Sequence, residues 1–373
     1  MTSSLRLPFL LLAAGCTSPV ADPAPSVPAE LRAAMPGMPV SSVAVDSVAN
    51  TVTVYLGPFA VPAVDPAMAG MPHDMVGHES PLMEFSWPVD GWFRGYRLLL
   101  VDAEGHSLPR EVMHHMVGYN LERPQLLHPG VERLFGAGRE TGDIVLPAAI
   151  GVPVAKGSRL AVNIAWHNET GKELPAVYLR LVLPYTPKGG GKPPIEALPF
   201  HAEVNYQISG TTAFDLPPGK SAHQFEFVMP VDGGIIGISG HLHDYGTALR
   251  LEDSSGAVLF TLSVTRDSAG HVTGIKQRIF RNWFGLRDAR VPLLAGHHYR
   301  VVGEYDNPTG KTIAADAMAH VAGLIAPTDL SRWPKLDRND PLVLEDLRVL
   351  RGAAMPVMAA MPRMPGMAAQ HKH

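Results

Sequence analysis

Apolar and polar residues alternate along this chain in short runs, and glycine or proline closes most of them. NTVTVYLGPF, GYRLLLVD, SRLAVNIAWHN and VYLRLVLPY fall in the first half, HQFEFVMP, ALRLED, AVLFTLSV and HYRVVGEYDN in the second. Alternation of period two marks a strand with one face in a core. The stretch 183–200, LPYTPKGGGKPPIEALPF, divides the two groups, because three glycines between prolines suit neither a central strand nor a helix. DPLVLEDLRVLRG, 340–352, is the best helix candidate, with Asp340 at the N-cap, Pro341 at the first helical position and Gly352 at the end. The pattern predicts an all-β chain of two β-sandwich domains, 41–186 and 196–330, joined by a Gly/Pro linker at 187–195. A helical extension, 331–352, and a low-complexity tail, 353–373, follow.

At 373 residues the chain has ample material for two cores. Its 31 basic and 35 acidic residues nearly balance and no basic tract occurs, so no nucleic-acid partner is expected. The N-terminus, MTSSLRLPFLLLAAGC, has one arginine, an apolar run from Leu7 to Leu12 too short to span a bilayer, and small residues leading to Cys16. It reads as an export signal, 1–16, and Ala13-Ala14-Gly15-Cys16 resembles a bacterial lipobox, whose cysteine becomes lipidated. The plain alternative is an ordinary signal with Cys16 incidental. The lipoprotein reading anchors the chain in the cell envelope through Cys16. Thr17 after the cysteine suits the outer membrane, and 17–40 would be a flexible Pro/Ala/Ser tether. Cys16 is the only cysteine, so no internal disulfide can form.

Strand phase sorts the histidines. In SRLAVNIAWHN, Leu160, Val162, Ile164 and Trp166 share a core face, and His167 projects from the other beside Ala161, Asn163 and Ala165. In GIIGISGHLHDYG, Ile236, Ile238 and Leu242 point one way, while Ser239, His241 and His243 point the other. Such a His-x-His pair sets two imidazoles about 7 Å apart along one face. In TIAADAMAHVAGL, Met318 and His320 share a face with Asp316 beside them, and either of the two can serve as a ligand. VMHHMVGY is harder, since adjacent residues of a strand face opposite ways. His114 and His115 can serve one metal only through a bulge or through different ring nitrogens. His297-His298 reads as a surface pair, and His73, His78, His106, His128, His201, His223 and His271 read as surface, loop or satisfied polar residues.

Imidazole alone suits zinc, copper, iron or nickel. Thioether without cysteine tilts the choice to copper that cycles through Cu(I). Met355, Met358, Met361, Met364 and Met367 fall at every third position of the Pro-rich tail, which would line them along one edge of a polyproline II helix. With His371 and His373 they read as auxiliary copper capture, and Met68, Met71 and Met75 with His73 and His78 form a similar cluster.

The order His-His-Met, a single His at a strand end, His-x-His and a late Met resembles the copper type II, ascorbate-dependent monooxygenases, which include the peptidylglycine α-hydroxylating and dopamine β-monooxygenases. The likeness spans roughly residues 40 to 327 and rests on motif order. It implies two jelly-roll sandwiches facing each other across a solvent-filled cleft, with two coppers per chain. His114, His115 and His167 would hold an electron-transfer copper. His241, His243 and Met318 would hold an oxygen-activating copper, with Met113 and Met116 left as packing residues. The implied activity is C–H hydroxylation of a small-molecule or peptide substrate with O2 and a reductant such as ascorbate. The residues before the His-x-His, Ile238-Ser239-Gly240, lack the arginine that anchors a substrate carboxylate in the peptidylglycine enzymes, so the substrate stays open. The rival reading is a non-catalytic lipoprotein for copper capture or resistance, with copper donor proteins as partners.

Overall fold

The computed structural model describes residues 26–65, 78–138, 141–189, 194–209, 212–279 and 291–352. The signal with Cys16, the Met68–Met75 cluster and the Met355–His373 segment lie outside the described residues. Among the described residues no helix is long and apolar enough to cross a membrane.

The chain is all-β, with two jelly-roll-like sandwiches in sequence. The first has an eight-stranded sheet around Thr51–Val61, Leu174–Pro187, Gly95–Val101 and Ile150–Val154. Against it lies a five-stranded sheet in which Arg159–Trp166 and Met113–Pro124 are central and Val131–Gly138 forms one edge. The second sandwich opposes a sheet built on Leu198–Glu203, Ala319–Pro327 and Gly233–Leu242 to one built on Gly219–Val228, His298–Asn307, Gly246–Asp253 and Val258–Arg266. Alternation explains the cores. Leu160, Val162 and Ile164 are fully buried against Val52, Val54, Leu56, Leu179 and Leu181, and each such side chain contributes about 1.5–3 kcal/mol.

Two buried asparagines close matching turns. Asn168 Nδ2 donates to the carbonyls of Lys172 (2.8 Å) and Val61 (3.2 Å), and Thr170 Oγ1 donates to Asn168 Oδ1 (2.6 Å). In the second sandwich Asn307 Nδ2 donates to Lys311 O (2.9 Å) and Leu216 O (3.2 Å), and Thr309 Oγ1 to Asn307 Oδ1 (2.7 Å).

The helix Pro341–Gly352 starts at Asp340, whose Oδ1 accepts from Leu342 N at 2.8 Å. It returns to the first sandwich, where Val343, Leu347 and Leu350 pack on Tyr119, Leu121 and Ala161. Asp346 takes Arg133 in a two-pronged ion pair, Oδ1 to Nη2 at 2.7 Å and Oδ2 to Nη1 at 2.8 Å.

Three expectations change. The tether does not run to residue 40, since Val27 and Leu31 bury against Tyr55, Val101 and Tyr178 and a short helix forms at Ala29–Arg32. The linker is shorter than 187–195, because Ile195–Glu196 still pairs in parallel with Ile150–Gly151. Ile236 does not share a face with Ile238 and Leu242. A register shift between Ile235 and Gly237 turns it towards Leu146 and Ile150 of the first sandwich, while Ile238 and Leu242 stay in the main core.

Candidate metal centre

The adjacent histidines are resolved by a bulge. Met113 pairs with Trp166 and His115 with Ala165, which makes His114 the inserted residue. Met113 and Met116, opposite Trp166 and Ile164, are fully buried in the core. His114 and His115 both line the cavity on the far side of the sheet, with ring centroids 5.1 Å apart. His167 follows the end of the neighbouring strand. Its backbone N–H donates to Val112 O at 2.9 Å, and its ring centroid lies 6.4 Å from that of His114. The face it shares with Ala161, Asn163 and Ala165 is buried, not open to solvent. The returning helix packs on the Ala161 end, and the second sandwich supplies rings beside His114 at the other.

In the second sandwich His241 stands opposite His320, and His320 opposite Glu203, in register across three adjacent strands. Cross-strand neighbours share a face, so these side chains form one row. Gly240 permits the close approach there, since a Cβ would come within 2.6 Å of His320 O. His243 lies just past the strand end, and its Nδ1 meets Asp316 O at 2.7 Å. A carbonyl only accepts, so the His243 proton sits on Nδ1 and Nε2 carries the lone pair that could serve a metal. Two non-glycine residues with positive φ frame this segment, Tyr245 (63°) and Ala315 (47°). Such conformations are held by their surroundings and gather at functional sites.

The two sandwiches bring their histidines together. His114 lies 5.5 Å from His243 and 6.2 Å from His241 between ring centroids. The ligand atoms of His114, His241 and His243 are all within 4.8 Å of one another. All three side chains are buried, at 7 %, 9 % and 7 % exposure. The inserted histidine of the first set thus also lies against the pair of the second. His115, 6.5 Å from His241, adjoins the group. Met318 occupies the break between the strands Ile313–Ala317 and Ala319–Pro327 and lines the same cavity. Its carbonyl accepts from His243 N (3.0 Å) and from Tyr305 Oη (2.8 Å), which fixes its backbone beside the His-x-His. The cavity, about 610 Å3, runs between the sandwiches with walls from both.

Sequence reading missed two histidines. His201 and His128, expected as surface, loop or satisfied polar residues, belong to a buried array in which His201 lies 4.5 Å from His320 and 5.7 Å from His128 between ring centroids. Burial pushes His128 down to about 3, with the Arg133 charge adding to it. Burial, then the neighbouring His320, also holds His201 well below the usual histidine range. The alternation in LPFHAE, with His201 and Glu203 on one face, was the available signal; the register that brings His320 beside them was not visible. His320 is drawn to Glu203, with Nδ1 3.1 Å from Oε2. His297 and His298 are exposed, as expected.

No family model matches the chain, and no curated protein matches it. Among solved structures it is similar to PNGase F, a glycosylasparaginase from Flavobacterium meningosepticum, at 12 % identity and TM-score 0.36 over 76 % of this chain and 95 % of that one. It is also similar to the STIV MCP, at 10 % identity and TM-score 0.31 over 78 % of this chain and 96 % of that one. Likenesses this weak transfer no activity to this chain.

Proposed function

We propose that this chain holds copper between its two sandwiches and hydroxylates a C–H bond of a small organic or peptide substrate with O2 and an external reductant such as ascorbate. The observation that supports this most is the meeting of His114 with His241 and His243 on the wall of an interdomain cavity. The donor set fits copper: buried imidazoles, a thioether on the same wall and no cysteine suit an ion that cycles through Cu(I). His114, His115 and His167 with His241, His243 and Met318 would hold it. Bound copper supplies one-electron chemistry with O2.

The chain's own residues prepare the site. Asp316 O fixes the tautomer of His243, and Glu169, whose Oε1 lies 3.1 Å from His167 Nε2, leaves His167 Nδ1 as its lone-pair nitrogen. Phe93, Phe135, Trp166 and Phe200 line the cavity and restrict water. A volume of about 610 Å3 accommodates a small molecule or a short peptide end. The test measures copper content and reductant-dependent O2 consumption with candidate substrates, for the wild type and His241→Ala. Bound copper with substrate-dependent O2 uptake, both reduced in the variant, is the expected result. Tightly held copper without productive O2 uptake would leave a copper-capture protein, and a chain that takes up no copper would end the reading.

A further inference from the structure

We propose that His201, Glu203 and His320 form a second metal site, for one divalent cation of the zinc or ferrous-iron type, on the cavity face of the second sandwich. Their ligand atoms all lie within 4.8 Å of one another. Glu203 Oε2 is 3.1 Å from His320 Nδ1 and 3.6 Å from His201 Nε2. The carboxylate is almost wholly buried, its side chain 4 % exposed, yet its other oxygen, Oε1, has no hydrogen-bond partner among the described residues. His201 Nδ1 is likewise buried without a partner there. Buried polar atoms without partners cost ~1–3 kcal/mol each, more for a charged group, and a cation in the group offers the carboxylate the interaction it lacks.

The scaffold is organised for this. His201 and Glu203 alternate on the strand Leu198–Glu203, and His320 stands directly opposite Glu203 on Ala319–Pro327. His128 Nε2 accepts the Glu203 backbone N–H at 3.0 Å and stacks on Tyr206, with centroids 4.1 Å apart. That holds the strand end from the first sandwich. Two imidazoles and a carboxylate are the donor set of open zinc sites and of ferrous centres, and without a thioether the set is harder than its neighbour. The three side chains line the 610 Å3 cavity, so a coordination position left open would face its contents. His241 of the neighbouring cluster lies 5.3 Å from His320 between ring centroids, so the two groups adjoin without sharing a residue. The site comes from the second sandwich alone and stands whether or not the neighbouring cluster takes copper.

The experiment uses the full chain in a His243→Ala background, stripped with chelator and reloaded with Zn(II), or with Fe(II) under anaerobic conditions, then counted by elemental analysis. Retention of an equivalent that Glu203→Gln abolishes is the expected result. The arm that fills identifies the cation class, and Co(II) loading should give ligand-field absorption that the same substitution removes. His201→Ala, with folding checked by thermal unfolding, repeats the test should Glu203→Gln not fold. Equal metal content with and without these substitutions, or no metal in either arm, would overturn the site and leave a hydrogen-bonded cluster. A chain that takes no copper but loses an equivalent of Zn(II) or Fe(II) with Glu203→Gln keeps this site while the copper reading fails.

Discussion

In the first sandwich the strand Arg159–Trp166 runs into His167-Asn168-Glu169-Thr170-Gly171-Lys172; in the second, His298–Asn307 runs through Asp306-Asn307-Pro308-Thr309-Gly310-Lys311. Asn, Thr, Gly and Lys recur at the same spacing and share the Asn-to-Lys and Thr-to-Asn bonds, Asn307 adding Pro217 O as an acceptor, with both glycines at positive φ (71° and 73°). The residue before the asparagine differs. His167 joins the imidazole cluster, whereas Asp306 donates its backbone N–H to Tyr245 O at 2.9 Å. The turn is thus a framework element common to both sandwiches, and the neighbouring position carries chemistry in only one. The second sandwich presents its donors from another strand, Gly233–Leu242, and the first alone is covered by the returning helix. One framework supports two different donor arrangements, which meet at the cavity.

The largest effect should come from removing that cover. Asp346 is 2 % exposed and binds both Arg133 and Val131 N, so Asp346→Ala strands the guanidinium over Tyr119. Breaking a buried ion pair from one side costs ~3–5 kcal/mol. Thermal or denaturant unfolding should show a loss of that size, and a variant within 1 kcal/mol of wild type, roughly the value of a surface pair, would mean that the helix is not a structural part of the first sandwich.

Next comes the sharing of the cluster between sandwiches. If each sandwich held its own copper, His114→Ala would spare whatever His243 binds. The structure puts both in one group, so His114→Ala and His243→Ala should weaken the same bound copper, each by more than the ~10–100-fold typical of an outer-shell partner. The double variant should then fall well short of additive. Additive losses in a copper titration would restore two independent sets.

Much of this was legible in the chain because period-two patterning follows from one-sided burial. The core faces of Arg159–Trp166, the helix start at Asp340 and the bulge or ring-nitrogen solution at His114-His115 could each be inferred locally. The convergence of His114 on His241 and His243 could not be read, because it depends on how two separately folded sandwiches pack. The bulge at Ile236 and the pairing of Glu203 with His320 were hidden for the same reason: register is set by partners 70 or more residues away in the chain.

The common turn gives a smaller, paired test. Asn168→Ala and Asn307→Ala each remove a set of buried bonds and leave carbonyl acceptors behind, those of Val61 and Lys172 in one case and of Leu216, Pro217 and Lys311 in the other, at about 2 kcal/mol apiece from net hydrogen-bond values. Equal losses in denaturant unfolding would confirm that the two turns are energetically equivalent. A much larger loss at Asn168, accompanied by lower copper content, would show that this turn also positions His167.

The smallest effect distinguishes the sandwiches by pH. Glu252, buried on the second sandwich, is held below the usual carboxylate range by its hydrogen bonds to Arg300 and then Arg250, against burial that works the other way. A depressed folded-state value adds stability above the unfolded value of 4.5, and that contribution is lost as pH falls through the lowered folded value. Glu252→Gln should therefore lower stability at neutral pH and flatten the acid side of the profile. The acid midpoint should move by about a few tenths of a pH unit, as expected for a pair whose arginine partners are partly exposed. An unchanged acid limb would place the acid sensitivity of the chain outside this ion pair.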